Sequence, residues 1–288
     1  MWTSSIDIMF LSRSAAEEQT LFTDVSGIDD VAVFDAKDMG FSGHETGIRL
    51  EVARETSPGH GLKGSLFAVG FDQREEVIGA PNQFNTTFAG LVGFSDIQQF
   101  RSEYDSRVVS LELNGYRPTG WSDVDFLLGL RFMSVREEAL LRAETAGGIV
   151  DFIDTSTSNR MLGVQAGVDA LVMRRGPWEI GARGRAGVMI NRGSQETVAD
   201  EPGGIGVVSD DGSDTSLALV TEAAVTASCR LNETFAVRAG YLLMGLGGLA
   251  LAPDQWNDMN LQVPTRDVLD DSGSFLIHGG FGGVEAIW

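Results

Sequence analysis

Ten stretches of this chain alternate apolar and polar residues with a period of two, the signature of a strand whose two faces meet different surroundings. The clearest is Asn159–Arg174, where Leu162, Val164, Ala166, Val168, Ala170 and Val172 oppose Gly163, Gln165, Gly167 and Asp169. The others are Trp2–Phe10, Gly47–Arg54, Leu62–Phe71, Arg107–Tyr116, Val124–Glu137, Trp178–Asn191, Ser216–Cys229, Thr234–Met244 and Ser274–Trp288. Their apolar parities read Ile6, Ile8, Phe10; Ile48, Leu50, Val52; Phe67, Val69, Phe71; Val109, Leu111, Leu113; and Leu128, Leu130, Phe132. In the closing stretch, Trp288, Ala286 and Val284 share one parity and Glu285 stands on the other.

The connections alternate in length. Short turns (SPGHG, RPTG, RRGP, RLNE) follow every second stretch, and long segments fill Leu11–Gly43, Asp72–Tyr104, Glu138–Ser158, Arg192–Asp214 and Gly245–Gly273. This pattern predicts a single domain over residues 1–288: an all-β, closed antiparallel transmembrane β-barrel of about ten strands, with long external loops and short periplasmic turns. Closure pairs the last strand with the first and abolishes the open edge. An even strand number places both termini on one side, the periplasmic side of a bacterial outer membrane. Trp2, Trp178 and Trp288 fall at that end on the apolar parity, as an interfacial girdle requires; Trp121 sits at the same level off parity, and Phe10, Phe132 and Tyr241 point to the opposite girdle. A soluble antiparallel sandwich also alternates, with its apolar face in a core. Long strands, alternating turn lengths and Ala/Val-rich faces with aromatics at their ends weigh against it.

No apolar run approaches the roughly eighteen residues of a membrane helix, which leaves a barrel untouched. A net charge of −20, from 21 Lys+Arg against 41 Asp+Glu, sets nucleic-acid binding aside. The single cysteine, Cys229, forms no intrachain disulfide and reads as a small apolar filler on the lipid parity. No signal peptide precedes the first alternating stretch, so an exported chain is expected in its mature form.

From Ser106 to Glu137, SRVVSLELNGYRPTGWSDVDFLLGLRFMSVRE resembles the β-barrel porin-7 family of bacterial outer membranes. TSNRMLGVQAGVDA, WEIGARGRAGVMIN, RLNETFAVRAGYLLMGLGGLALAPDQ and the closing HGGFGGVEAIW resemble it in the same order. The resemblance covers Ser106 to Trp288 well and the first hundred residues poorly. It implies an outer-membrane barrel and supplies neither a substrate nor a catalytic residue.

In a membrane barrel the polar parity faces the lumen. That expectation applies to Arg49, Glu51, Glu112, Arg131, Asp169, Glu179, Arg183, Arg185, Glu222, Arg238 and Glu285. Both signs are interspersed, so they form either mutually satisfied ion pairs or the lining of a narrow pore for small solutes or ions. Inward glycines such as Gly129, Gly163, Gly167 and Gly240 are expected to widen the bore. A rim hydrolase using His44 or His278 with Asp270 and Asp271 is the alternative; no nucleophile or fixed carboxylate pair accompanies them, so no catalytic role is assigned. Asp29–Asp30, Asp210–Ser216 and Asp270–Asp271 are acidic but lack calcium-loop spacing, and no metal or cofactor is expected. Ser95–Tyr104 reads as a short helix, folded into the bore as a constriction. Expected partners are outer-membrane lipid and lipopolysaccharide, and other surface components met through acidic external loops.

Overall fold

In hydrocarbon no water bonds a bare backbone amide, so each strand needs a partner on both sides. In the computed structural model the ring that satisfies this is closed. The structure describes all residues except 15–19, 28–30, 40–42, 86–95, 120–122, 202–205 and 259–268. Thirteen strands are present among the described residues: β1 (Trp2–Arg13), β2 (Thr20–Asp24), β3 (Val31–Asp35), β4 (Glu45–Ser57), β5 (His60–Ile78), β6 (Phe84–Asn85), β7 (Ile97–Pro118), β8 (Val124–Thr145), β9 (Val150–Arg175), β10 (Trp178–Glu201), β11 (Gly206–Arg230), β12 (Phe235–Leu249) and β13 (Gly273–Ile287). Ten of them close the ring in the order β1-β4-β5-β7-β8-β9-β10-β11-β12-β13, every contact antiparallel. The short β2, β3 and β6 join at the edge of β7 and bring the total above the expected ten. At the seam, Trp2 N donates to Trp288 O (2.7 Å) and Trp288 N to Trp2 O (3.0 Å).

The register fixes the tilt. From Ile6, hydrogen-bonded partners lead through Leu50, Leu66, Leu111, Phe132 and Leu162 to Ile190. The opposite way round, Ile6 leads through Val284, Val237 and Cys229 to Trp178, so the ring closes with a displacement of twelve residues along β10. With a rise of about 3.3 Å per residue and strands about 4.8 Å apart, that stagger tilts the strands by about 40° and gives a backbone radius of about 10 Å. Leu162, Val164, Val168 and Val172 face outward, all exposed, with no second sheet over them among the described residues. At this tilt their row climbs roughly 25 Å, the height of a transmembrane apolar band. The soluble sandwich is thereby excluded.

Two of the long segments read as loops are strand. Glu138–Thr145 and Val150–Ser158, with Arg192–Glu201 and Gly206–Asp214, extend β8, β9, β10 and β11 beyond the band; Thr145–Ile149 closes the β8–β9 tip through hydrogen bonds of 2.9–3.0 Å. With β7 they form a wall on one side of the ring, while β1, β12 and β13 stop after 12–15 residues. Outside the membrane the apolar parity of β8 changes face. On β8, Arg131 points in and Phe132 out, yet further along Ala139, Leu141 and Ala143 point in and Glu138 and Arg142 out. The Ser95–Tyr104 stretch is likewise not a helix: Ile97–Tyr104 belongs to β7.

The wall's inner face carries an apolar core. Phe100 stacks on Phe22 at 4.0 Å between ring centroids and meets Phe34 at 5.1 Å and Phe84 at 5.3 Å, so β2, β3 and β6 are bound to the wall by aromatic contacts. On β5 the expected faces are exchanged. Phe67, Val69 and Phe71 point inward and are buried, while Leu62 and Leu66 take the outer side. Both parities are apolar there, so alternation alone does not discriminate.

The inward glycines do not widen the bore. A Cβ on Gly240 would lie 2.3 Å from Val225 O and 2.4 Å from the Phe281 ring, and one on Gly167 would lie 2.7 Å from Arg185 Cγ. Each lets a larger neighbour lean across the sheet and fill the space. Gly240→Val is expected to lose about 1–3 kcal/mol by overpacking, read from the urea midpoint of refolded protein, with partial recovery in Gly240→Val/Phe281→Ala. An unchanged midpoint would mean that the contact with Phe281 carries no constraint.

Candidate functional site

Among the described residues the charged parity converges in the lumen. Nearest the terminal end, Arg183 on β10 reaches Glu51 on β4 across the full diameter (2.8 Å) and its strand neighbour Asp169 on β9 (3.2 Å). Lys63 on β5 also spans the bore to Asp169 (2.9 Å). Arg238 on β12 gathers Asp7 (3.1 Å), Glu51 (3.4 Å) and Glu285 (3.5 Å), and donates to Ser5 Oγ (3.0 Å). Below them a cavity of about 730 Å³, with Asp125, Asp169, Arg174, Glu179 and Arg183 in its lining, opens toward the terminal mouth.

One layer further in, Arg131 pairs with Glu222 (3.3 Å) and Glu112 (3.6 Å) and donates to Ser110 Oγ (3.0 Å). Arg185 pairs with Glu112, which also accepts from Gln165 Nε2 (2.7 Å). Arg49 is buried beside this network with its guanidinium 5.6 Å from the Phe281 ring centroid, and has no ion pair among the described residues. Next comes a layer of buried methionines, Met9, Met133, Met161, Met189 and Met244, flexible side chains suited to filling an irregular bore. At this depth Asp7, Arg131, Met133, Met189 and Asn191 retain 0–1% of their accessible surface.

Above the methionines, Glu137 on β8 meets Arg13 on β1 across the bore at 2.5 Å. Glu137 also accepts from Tyr104 Oη (2.7 Å), Ser106 Oγ (3.2 Å) and the Ala252 amide (3.0 Å). The last of these belongs to the segment after β12, which folds inward. Asn159 clamps Ala250 through both its amide and its carbonyl (2.9 and 2.7 Å). Trp256, in the four-residue helix Gln255–Asp258, is fully buried and donates its indole N–H to Thr155 Oγ1 (2.8 Å). Gln255 ties the returning chain with hydrogen bonds to and from the Asp270 backbone (2.7 and 3.0 Å).

The sequence therefore pointed to the lower network and missed the upper one. Arg13 and Trp256 fall in segments expected as loops, Tyr104 at the end of the expected constricting helix, and Glu137, Asn159 and Asn191 on expected strands with no site role. The available signal was the run LALAPDQW, too apolar for a connection exposed to water. Glu179 stands at the mouth and pairs with Arg174 (2.9 Å) and Arg230 (3.4 Å). Trp2, Trp178 and Trp288 are exposed at the terminal end, with the Arg54 guanidinium 5.1 Å from the Trp2 ring. Trp121 and the pair Asp29–Asp30 lie outside the described residues.

No hydrogen bond or ion pair joins His44 or His278 to Asp270 or Asp271 among the described residues. His278 is on the outward side of β13, its Nδ1 hydrogen-bonded with Tyr241 Oη at 2.8 Å. Asp270 accepts from the Ser272 amide and hydroxyl at 2.9 and 2.7 Å. Asp210–Ser216 runs within β11, and Asp210 accepts from Gln195 (3.1 Å). No group of three or more His, Cys, Asp or Glu among the described residues is placed to hold a metal.

No known family model matches this chain, and no curated protein matches it in sequence. Among solved structures, the chain is similar to the outer membrane protease OmpT from Escherichia coli, with 11% identity over 100% of this chain and 96% of that one, at a TM-score of 0.52. It also aligns with the translocator domain of the autotransporter NalP from Neisseria meningitidis (12% identity, 99% and 88% of the two chains, TM-score 0.40) and with the P. putida toluene transporter TodX (9%, 99% and 89%, 0.34). At such identities the likeness is one of fold: an outer-membrane type of transmembrane β-barrel.

Removing one partner of a buried ion pair strands the other. Glu222→Leu is expected to cost about 3–5 kcal/mol, and Glu222→Leu/Arg131→Met less than either single change. Urea unfolding in lipid vesicles checks this; single variants as stable as the parent would show that water already screens the network.

Proposed function

We propose that this protein is a bacterial outer-membrane barrel with both termini in the periplasm and a sealed lumen, acting as a structural platform rather than a conduit. One observation carries the reading. A bore wide enough for water leaves its lining accessible, yet Asp7, Arg131, Met133, Met189 and Asn191 retain 0–1% of their surface at mid-height. The lower charges support it by spanning the bore in mutually neutralising pairs, and the Ala250–Trp256 segment supports it by filling the other end. The fold supports placement in an outer membrane, and the short turns at the terminal end support the orientation. Membership of the porin-7 family belongs to the same proposal; the motifs from Ser106 onward support it, with the family's barrel in closed form.

On this reading the molecule's business lies outside the bilayer, on the wall built by β7 to β11. We assign it no enzymatic role: His278 is engaged on the lipid side with Tyr241, and Asp270 is engaged within its own loop. Small solutes reach the terminal mouth and stop at Arg183 and Arg238.

Planar-bilayer recording of the purified barrel is the test. The parent is expected to be electrically silent. A variant combining Arg131→Ala and Arg183→Ala with deletion of residues 250–272 is expected to conduct in discrete steps. Stable unitary currents from the unmodified protein would overturn the closed reading in favour of a narrow pore.

A further inference from the structure

The chain carries nearly twice as many acidic residues as basic ones, 41 against 21. In such a chain an exposed arginine readily finds a carboxylate, and several do: Arg74 and Arg101 with Glu103, Arg174 and Arg230 with Glu179. Five exposed arginines on the outer face of the wall do not: Arg142, toward the tip of β8 opposite Arg101, and a group of four nearer the membrane. Arg107 on β7, Arg136 on β8, Arg160 on β9 and Arg192 on β10 form no ion pair or side-chain hydrogen bond among the described residues.

Their placement is not scattered. Arg107 stands directly opposite Arg136, and Arg160 directly opposite Arg192. Like charges facing each other across a strand pair repel, so each couple weakens the sheet unless an anion lies between them. Arg160 is displaced by two residues toward the membrane from Ser158, the partner of Arg136. That step offsets the climb of the register around the ring and keeps the four near one height. Beneath them the same outward faces carry Val109, Phe132, Leu162 and Ile190, the top of the apolar band. Beyond them, one step past Ser158 and Ser194, the outward row Asp105, Glu138, Ser156, Glu196 and Asp211 carries four carboxylates. An anion is therefore held from the membrane side and repelled from the water side.

We infer that Arg107, Arg136, Arg160 and Arg192 form a binding site for the phosphorylated headgroup of a lipid in the surrounding leaflet. Guanidinium groups match phosphate oxygens in pairs and are weakly hydrated, which suits the interface better than ammonium. Four neighbouring strands span roughly 15 Å, wider than a single phosphate, so the site fits a headgroup bearing more than one. The Ser158 and Ser194 hydroxyls, outward and partnered across the same strands, lie beside the row as further donors. The acyl chains then run down the apolar faces of β7 to β10. This inference rests on the outer-membrane orientation proposed above, which makes the leaflet the outer one.

The test uses the full-length barrel refolded into neutral phosphatidylcholine vesicles. Binding of a bisphosphorylated glycolipid is compared for the parent, for Arg107→Gln/Arg136→Gln/Arg160→Gln/Arg192→Gln, and for a control, Arg74→Gln/Arg101→Gln. Parent and control are expected to bind alike, and the quadruple variant with an affinity lower by about a hundredfold. The dephosphorylated glycolipid is expected to bind the parent no better than the variant. Equal binding by parent and quadruple variant overturns the inference while leaving the barrel reading intact. Full competition by millimolar inorganic phosphate overturns the lipid as the source of the ligand. A parent that does not insert into vesicles at all removes the membrane reading and this site with it.

Discussion

A chain in hydrocarbon must satisfy its own backbone, and here it does so only because β1 and β13 meet. That seam joins residues from the two ends of the sequence, and the twelve-residue displacement is decided once it forms. Strand number and stagger together set a radius of about 10 Å. From that radius the interior follows. Side chains such as Arg and Glu, projected inward from opposite walls, are long enough to touch. Arg183 reaches Glu51 and Arg13 reaches Glu137 because the tube is narrow, and a wider ring would leave the same residues as a charged lining around water.

The interior is layered because its surroundings are layered. Below the methionines the wall has lipid outside, so the outer parity is apolar and the inner parity supplies the polar groups. Above, the wall has water outside and a covering of β2, β3, β6 and Ala250–Trp256 inside, so on β8 polar and apolar exchange places, while β9 and β10 keep Thr155, Asn159 and Thr197 inward. Burial of Phe22, Phe34, Phe84 and Phe100 against the covering and of the ion pairs inside the ring answers one rule under two conditions. Each buried surface is matched to what it faces.

That exchange explains what could be read from the sequence. Strand spans within the apolar band were visible because one parity stays greasy from end to end, as in Asn159–Arg174. The wall was not visible, since a strand crossing from lipid to water reverses its pattern near Ser134 and looks like a loss of periodicity. The faces of β5 were misread because both are apolar. Charged lumen residues could be nominated by parity, whereas their partners could not: Arg183 and Glu51 are joined by the closure of the ring, which no local spacing encodes. Of the inward-folded segment only its greasiness was legible, in Leu249–Ala252 and Trp256, and its hydrogen bonds to Asn159 and Thr155 depend on the tall wall already being there.

The unequal height of the strands gives the molecule a compass bearing within the bilayer. β1, β12 and β13 end near the level where lipid ends, while β8 to β11 continue through 22–26 residues. A round cross-section in the membrane is thus surmounted by a screen standing over one arc. Molecules drifting in along the surface meet a steep polar face from one quarter and a low sill from the other. Any lateral neighbour therefore encounters a direction as well as a location.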